Sequence, residues 1–171
     1  MKFGVCRGLD DFESIKIAYE IGIDYYECGF GSLASYDDEK FNECKDFLNV
    51  NNLPCLAANG FIPGNLKVVG DSIDYGALTE YLDKGFERAK ALGVKKIVFG
   101  SGSARSFPVG YSLEKAKEQL SLFLSEYAAP KAENAGCIIV MEPLRFGETS
   151  MIYTVSDGIE IARMSGKKNV A

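Results

Sequence analysis

The chain has 171 residues, 47% of them apolar and 25% charged, the composition of a globular domain with enough length to bury a core. A formal charge of −5, a pI near 4.9 and Lys and Arg scattered along the chain argue against nucleic acid or an anionic membrane surface as a partner. Histidine is absent, which excludes Ser-His-Asp and Cys-His nucleophiles and any imidazole metal ligand from this chain.

The elements alternate in type. Residues 2–6 form a candidate strand, and Asp10 or Asp11 caps a helix whose Phe12, Ile15, Ala18 and Tyr19 fall at helical spacing before Gly22. Residues 23–29 are the second strand and 37–50 its helix; residues 53–59 are the third strand. A helix over 77–92, with Leu78, Tyr81, Leu82, Phe86 and Ala89 on one face, ends at Gly93. Residues 94–99 are the fourth strand. The next helix starts at Ser112 and carries Leu113, Ala116, Leu120, Phe123, Leu124 and Tyr127, with Pro130 expected to kink or break it. Residues 137–141 are the fifth strand, Thr154 and Asp157 form a capping box for a fifth helix to about residue 164, and 169–171 open a sixth strand.

Alternating units of this kind imply a parallel sheet, either open and doubly wound or part of a (β/α)8 TIM barrel. The strand starts lie about 34 residues apart, so eight units need about 270 residues, within the barrel range, and this chain holds five. The expected fold class is α/β of the TIM-barrel type. The expected organisation is a single domain over 1–171, the N-terminal part of a barrel truncated before strand six. Five cysteines occur without a C-x-x-C spacing, and Cys6, Cys28, Cys55 and Cys137 sit in or beside apolar runs, as reduced core residues would. The N-terminus has too short an apolar run for a secretory signal and no segment reaches the roughly 18 apolar residues of a membrane helix, so a cytoplasmic protein is expected.

In either parallel architecture ligands meet the carboxyl ends of the strands. Those ends carry Glu27 in DYYECGF, Asn59 in LAANGF, Ser101, Ser103 and Arg105 in VFGSGSAR, and Glu142 in IVMEPLRFGETS, where three apolar strand residues run straight into a charge. Glu27 can equally pair with a loop cation, Asn59 before Gly60 is a common turn pair, and a Gly/Ser cluster is an ordinary loop as readily as an anion or sugar cradle. Glu142 is the strongest site candidate, because a carboxylate ending a buried strand needs a cation, a metal or hydrogen-bond donors.

MEPLRFGETS resembles the fifth-strand motif of the xylose-isomerase-like sugar phosphate isomerase/epimerase family, in particular its ketose 3-epimerase branch, with the pattern E-P-L-N-R-x-E-T. IVFGSGSAR resembles that branch's fourth-strand motif, V-x-G-S-G-x-x-R. The resemblance implies a (β/α)8 barrel that moves a proton next to a sugar carbonyl through an enediolate. Glu142 is then a metal ligand and an acid/base carboxylate, and Glu148 supports substrate. Ser101, Ser103 and Arg105 lie beside the site, and Glu27 and Asn59 fall at polar rim positions. It further implies a divalent metal (Mn²⁺, Mg²⁺ or Co²⁺) and a sugar or sugar phosphate as small-molecule partner. Arg145 stands where the motif has Asn, and the family's other Asp, His and Glu ligands come from strands six to eight. The chain alone is therefore expected to be inactive. A second reading is a non-catalytic binding or assembly module that forms a homo-oligomer through open sheet edges. A third, an apurinic endonuclease, is disfavoured by the missing histidines and the negative charge.

Overall fold

Side-chain caps set where the helices begin. In the computed structural model, which describes residues 1–171, Asp11 accepts from the Ser14 amide at 3.0 Å and starts α1 (Phe12–Glu20). Asp37 and Asp74 do the same for α3 (Asp38–Val50) and α4 (Tyr75–Leu92), and Ser112 for α5 (Leu113–Leu122). The expected Thr154–Asp157 box opens α7 (Val155–Ser165), with each side chain accepting from the other residue's backbone N–H. Each cap satisfies amides that the first helical turn leaves without partners.

The five strands are β1 (Gly4–Cys6), β2 (Tyr25–Gly29), β3 (Cys55–Asn59), β4 (Lys96–Phe99) and β5 (Ile138–Met141). They are all parallel and lie in sequence order, 1-2-3-4-5. A doubly wound sheet reverses its strand order at a switch point; this sheet does not, so it is part of a TIM-type barrel. Residues 169–171 continue it beside β5: the Ile139 amide donates to the Asn169 carbonyl at 2.8 Å, and Ala171 donates to Ile139 at 2.9 Å.

Alternation within the strands separates two faces. Tyr26, Cys28, Ile97, Phe99, Ile139 and Met141 are buried under the helices. Phe30, Phe61, Phe86, Phe99 and Phe123 pack there as a chain of edge-to-face and tilted pairs with ring centroids 4.9 to 6.3 Å apart. Gly85 in α4 makes this packing possible, since a Cβ there would sit 2.3 Å from the Phe30 ring.

Two elements differ from expectation. A six-residue helix, α2 (Phe30–Ser35), follows β2 directly; it has no side-chain cap, and its Phe30, Leu33 and Ala34 are buried. Tertiary burial holds it, because one and a half turns are too short to persist on local propensity. Pro130 neither breaks nor ends its helix. A π-helical segment, Phe123–Ala128, joins α5 to α6 (Ala129–Ala135) and places Pro130 in the first turn of α6. There its missing N–H is needed least, and the wider preceding turn gives the ring room.

Candidate functional site

The carboxyl ends of β1 to β5 form one rim with two differently built halves. On the β1–β3 side, Asn59 Nδ2 donates to Glu27 Oε1 at 2.8 Å and to Cys6 Sγ at 2.8 Å. Cys6 was expected in the core and is instead exposed at the rim, because it points away from the helices at the end of a three-residue strand. Partial burial, with the Glu27 carboxylate beside it, raises the Cys6 thiol above its ordinary pKa. Cys28, Cys55 and Cys137 are buried thiols as expected, and burial pushes Cys137 up to about 11.

On the β4–β5 side the loop after β4 is folded under Glu142. Ser101 adopts a left-handed φ of 39°, its carbonyl accepts from the Ala104 and Arg105 amides, and its Oγ accepts from the Ile62 amide at 2.9 Å. Ser101 therefore joins the loop after β3 to the loop after β4. Ser103 is exposed, and its carbonyl accepts from Lys67 Nζ at 2.6 Å.

Arg105 was expected to face a ligand and does not. It is fully buried and donates to the Phe99 carbonyl at 3.0 Å, the Glu142 carbonyl at 2.7 Å and Thr149 Oγ1 at 3.3 Å. Burial lowers its pKa to about 10, with the Glu142 charge acting in the opposite direction. The fork geometry of a guanidinium lets one side chain clamp the ends of both strands and the following loop.

Glu142 emerges above this clamp. Its amide donates to Phe99 at 3.2 Å and its carbonyl is held by Arg105, while its carboxylate is exposed and has no hydrogen-bond partner in the protein. Gly100 leaves room for that carboxylate: a Cβ there would lie 2.2 Å from Glu142 Oε2. Gly102 is as tightly placed, 2.1 Å from its would-be Cβ to the Glu148 carbonyl oxygen. Gly102 is required for space against backbone, whereas Gly100 leaves room only for the end of a flexible side chain. Glu148 forms an ion pair with Arg145, 2.9 Å between Nε and Oε1, so the residue that replaces the motif's Asn occupies the motif's second Glu.

The rim supplies one unengaged carboxylate. No three His, Cys, Asp or Glu side chains of the chain are grouped as metal ligands, and Glu27 is already tied to Asn59. The residues present therefore do not by themselves make a divalent-cation site. No helix is long and apolar enough to cross a membrane.

The family described as xylose isomerase-like TIM barrel matches residues 15–171. No curated protein matches the chain. Among solved structures it is similar to the apo form of the 3-keto-D-glucoside 4-epimerase YcjR from E. coli, with a TM-score of 0.79, 22% identity, and coverage of 99% of this chain and 66% of that one. It is similar to D-psicose 3-epimerase from Clostridium cellulolyticum H10 with D-tagatose (TM-score 0.79, 19% identity, 99% and 61% covered). An AP endonuclease, family 2, from Brucella melitensis is similar too (TM-score 0.76, 18% identity, 100% and 67% covered). The chain thus spans less than two thirds of the length of the two epimerases, and at these identities the likeness is one of fold. With five parallel strands in sequential order and a family match over nearly its whole length, the chain belongs to the xylose isomerase-like TIM barrel family.

Proposed function

We propose that this chain supplies the catalytic half-rim of a sugar isomerase or epimerase, with Glu142 as the acid/base carboxylate. The observation that carries the reading is the state of Glu142: its main chain is clamped by Phe99 and Arg105, and its carboxylate is free at the rim. A carboxylate so placed can take a proton from the carbon next to a substrate carbonyl; returning it to the neighbouring carbon gives isomerisation, and epimerisation needs a second acid on the opposite face to supply the new proton. Glu27, Asn59 and Ser103 border the same rim and are suited to sugar hydroxyls, each of which both donates and accepts. Ser101 and Arg105 act indirectly, by holding the loop. The names of two of the three structural neighbours, the 3-keto-D-glucoside 4-epimerase and the D-psicose 3-epimerase, support the substrate class.

A complete site needs carboxylates beyond those of this chain, from further strands of the same or another polypeptide. In such a rim Glu142 would also be one ligand of a divalent cation, whose role is to polarise the substrate carbonyl. We assay hydrogen–deuterium exchange at the carbon beside the carbonyl of a ketose, with Mn²⁺, for the 171-residue chain and for one extended by about 100 residues, the length eight units require. Exchange in the longer chain that falls about 10²–10⁴-fold on Glu142→Gln establishes the reading. No exchange in either form removes it.

One observation favours the assembly reading instead. β1 is an exposed edge of three residues, and Phe3 beside it is 61% exposed. Exposed edges invite pairing with a second chain. A stable dimer without any Glu142-dependent exchange would select that reading.

A further inference from the structure

The loops after β4 and β5 enclose a groove of about 400 Å3 that the proton-transfer reading does not use. One wall carries Phe107 and Tyr111, tilted at 39° with centroids 5.7 Å apart; the other carries Phe146 and Tyr153, also at 39° and 5.8 Å apart. Ser150 fastens the walls together, donating to the Phe107 carbonyl at 3.2 Å and accepting its amide at 3.3 Å. The volume is within the range of about 300–1,000 Å3 for small-molecule sites. Phe146 is 89% exposed, so its ring is open to a ligand in the groove.

Charge and hydrogen-bond direction narrow the ligand. No lining residue is charged; Lys115 Nζ, 5.0 Å from the Tyr111 ring centroid, lies behind that wall and is paired with Asp71 at 3.1 Å. Arg145, in the same loop as Phe146, lies outside the lining and is held by Glu148. The hydroxyls of Ser106, Tyr111 and Tyr153 already donate, to the Gly102 carbonyl, Gln119 Oε1 and the Thr149 carbonyl. They can therefore offer a ligand only lone pairs. A phosphate accepts and does not donate, so it finds no partner among these three hydroxyls and no cation among the lining residues. A flat ring bearing hydroxyls finds aromatic faces for its faces and acceptors for its protons.

We infer that this groove binds an uncharged phenolic ring, the aglycone of an aryl glycoside whose sugar reaches the rim at Glu142. The inference rests on the sugar-isomerase reading for the sugar end only. It is tested by nuclear magnetic resonance titration of the nitrogen-labelled chain with hydroquinone β-glucoside, methyl β-glucoside and glucose phosphate.

The expected result is saturable shifts over residues 106–111 and 146–153 with hydroquinone β-glucoside, and a Kd about tenfold lower than for methyl β-glucoside. Phe146→Ala, at an exposed position that leaves the fold intact, removes that advantage; Tyr153→Phe, which keeps the ring and loses an acceptor, removes part of it. Equal binding of the two glucosides, insensitivity to Phe146→Ala, tighter binding of glucose phosphate, or no shifts in the groove would each overturn the inference while leaving the Glu142 reading standing. Groove binding as described, with no Glu142-dependent exchange in the longer chain, would uphold the groove and remove the reaction.

Discussion

The two halves of the rim hold their polar residues by opposite means. On the β1–β3 side, side chains bond to one another: Asn59 serves both Glu27 and Cys6. On the β4–β5 side the backbone is held from beneath by a buried arginine, and the carboxylate above it is left unengaged. A self-satisfied cluster is stable and has little to give a substrate; a free carboxylate on a clamped backbone is pre-organised for chemistry. On the proposed reading, the difference puts the reactive group at the end of β5 and makes the other half a wall.

The largest effect expected from breaking that contrast is at Arg105. Arg105→Met leaves the Phe99 and Glu142 carbonyls without their donor in a buried site and lowers stability by about 3 kcal/mol, read as a fall in the urea midpoint. Arg105→Lys recovers only part, since an ammonium cannot reproduce the guanidinium's planar fork. Gly102→Ala is next: its Cβ meets backbone at Glu148, which cannot swing aside, and overpacking of this kind costs about 2 kcal/mol. Asn59→Ala, on the wall side, removes hydrogen bonds at a half-exposed site and costs about 1 kcal/mol. Gly100→Ala sharpens the contrast, because its Cβ meets only the end of a flexible side chain. Its stability changes by less than about 0.5 kcal/mol, whereas Glu142-dependent exchange in the longer chain falls as the carboxylate is displaced.

The smallest effect is chemical and reports on the wall alone. Cys6 is the one exposed thiol of five, so a thiol reagent labels one site in the folded chain. Its pKa is raised, and the thiolate is the reacting form, so at about pH 8 labelling is slower than for an unperturbed cysteine and accelerates as pH rises through the raised value. Glu27→Gln removes a negative neighbour, lowers the Cys6 pKa and speeds labelling; Glu142→Gln leaves the rate unchanged. Equal rates in all three proteins would show that the two halves are not distinguished as described.

How far these features could be read without coordinates depends on what each signal encodes. Glu142 was legible because a charge terminating an apolar strand is a local anomaly, and Glu27 and Asn59 because strand ends in parallel sheets share one rim. Cys6 was misread as core: its apolar neighbours said strand, and a strand of three residues carries too little alternation to say which face. Arg105 was expected to point outward because loop composition cannot tell an arginine turned to solvent from one turned under the loop. The paired walls of the aromatic groove lie some 40 residues apart in sequence, and no pattern of either loop announces the other.

The sequence by itself determined the alternation of strands and helices, the capped helix starts, the absence of histidine chemistry and the identity of the carboxylate at the end of β5, all properties of local spacing and residue type. Tertiary structure decided the sequential strand order, the π-helical turn that accommodates Pro130, the burial of Arg105 beneath Glu142 and the division of the rim into a bonded wall and a free carboxylate. Each of these depends on which distant segments come together, and periodicity and propensity describe a segment without naming its neighbours.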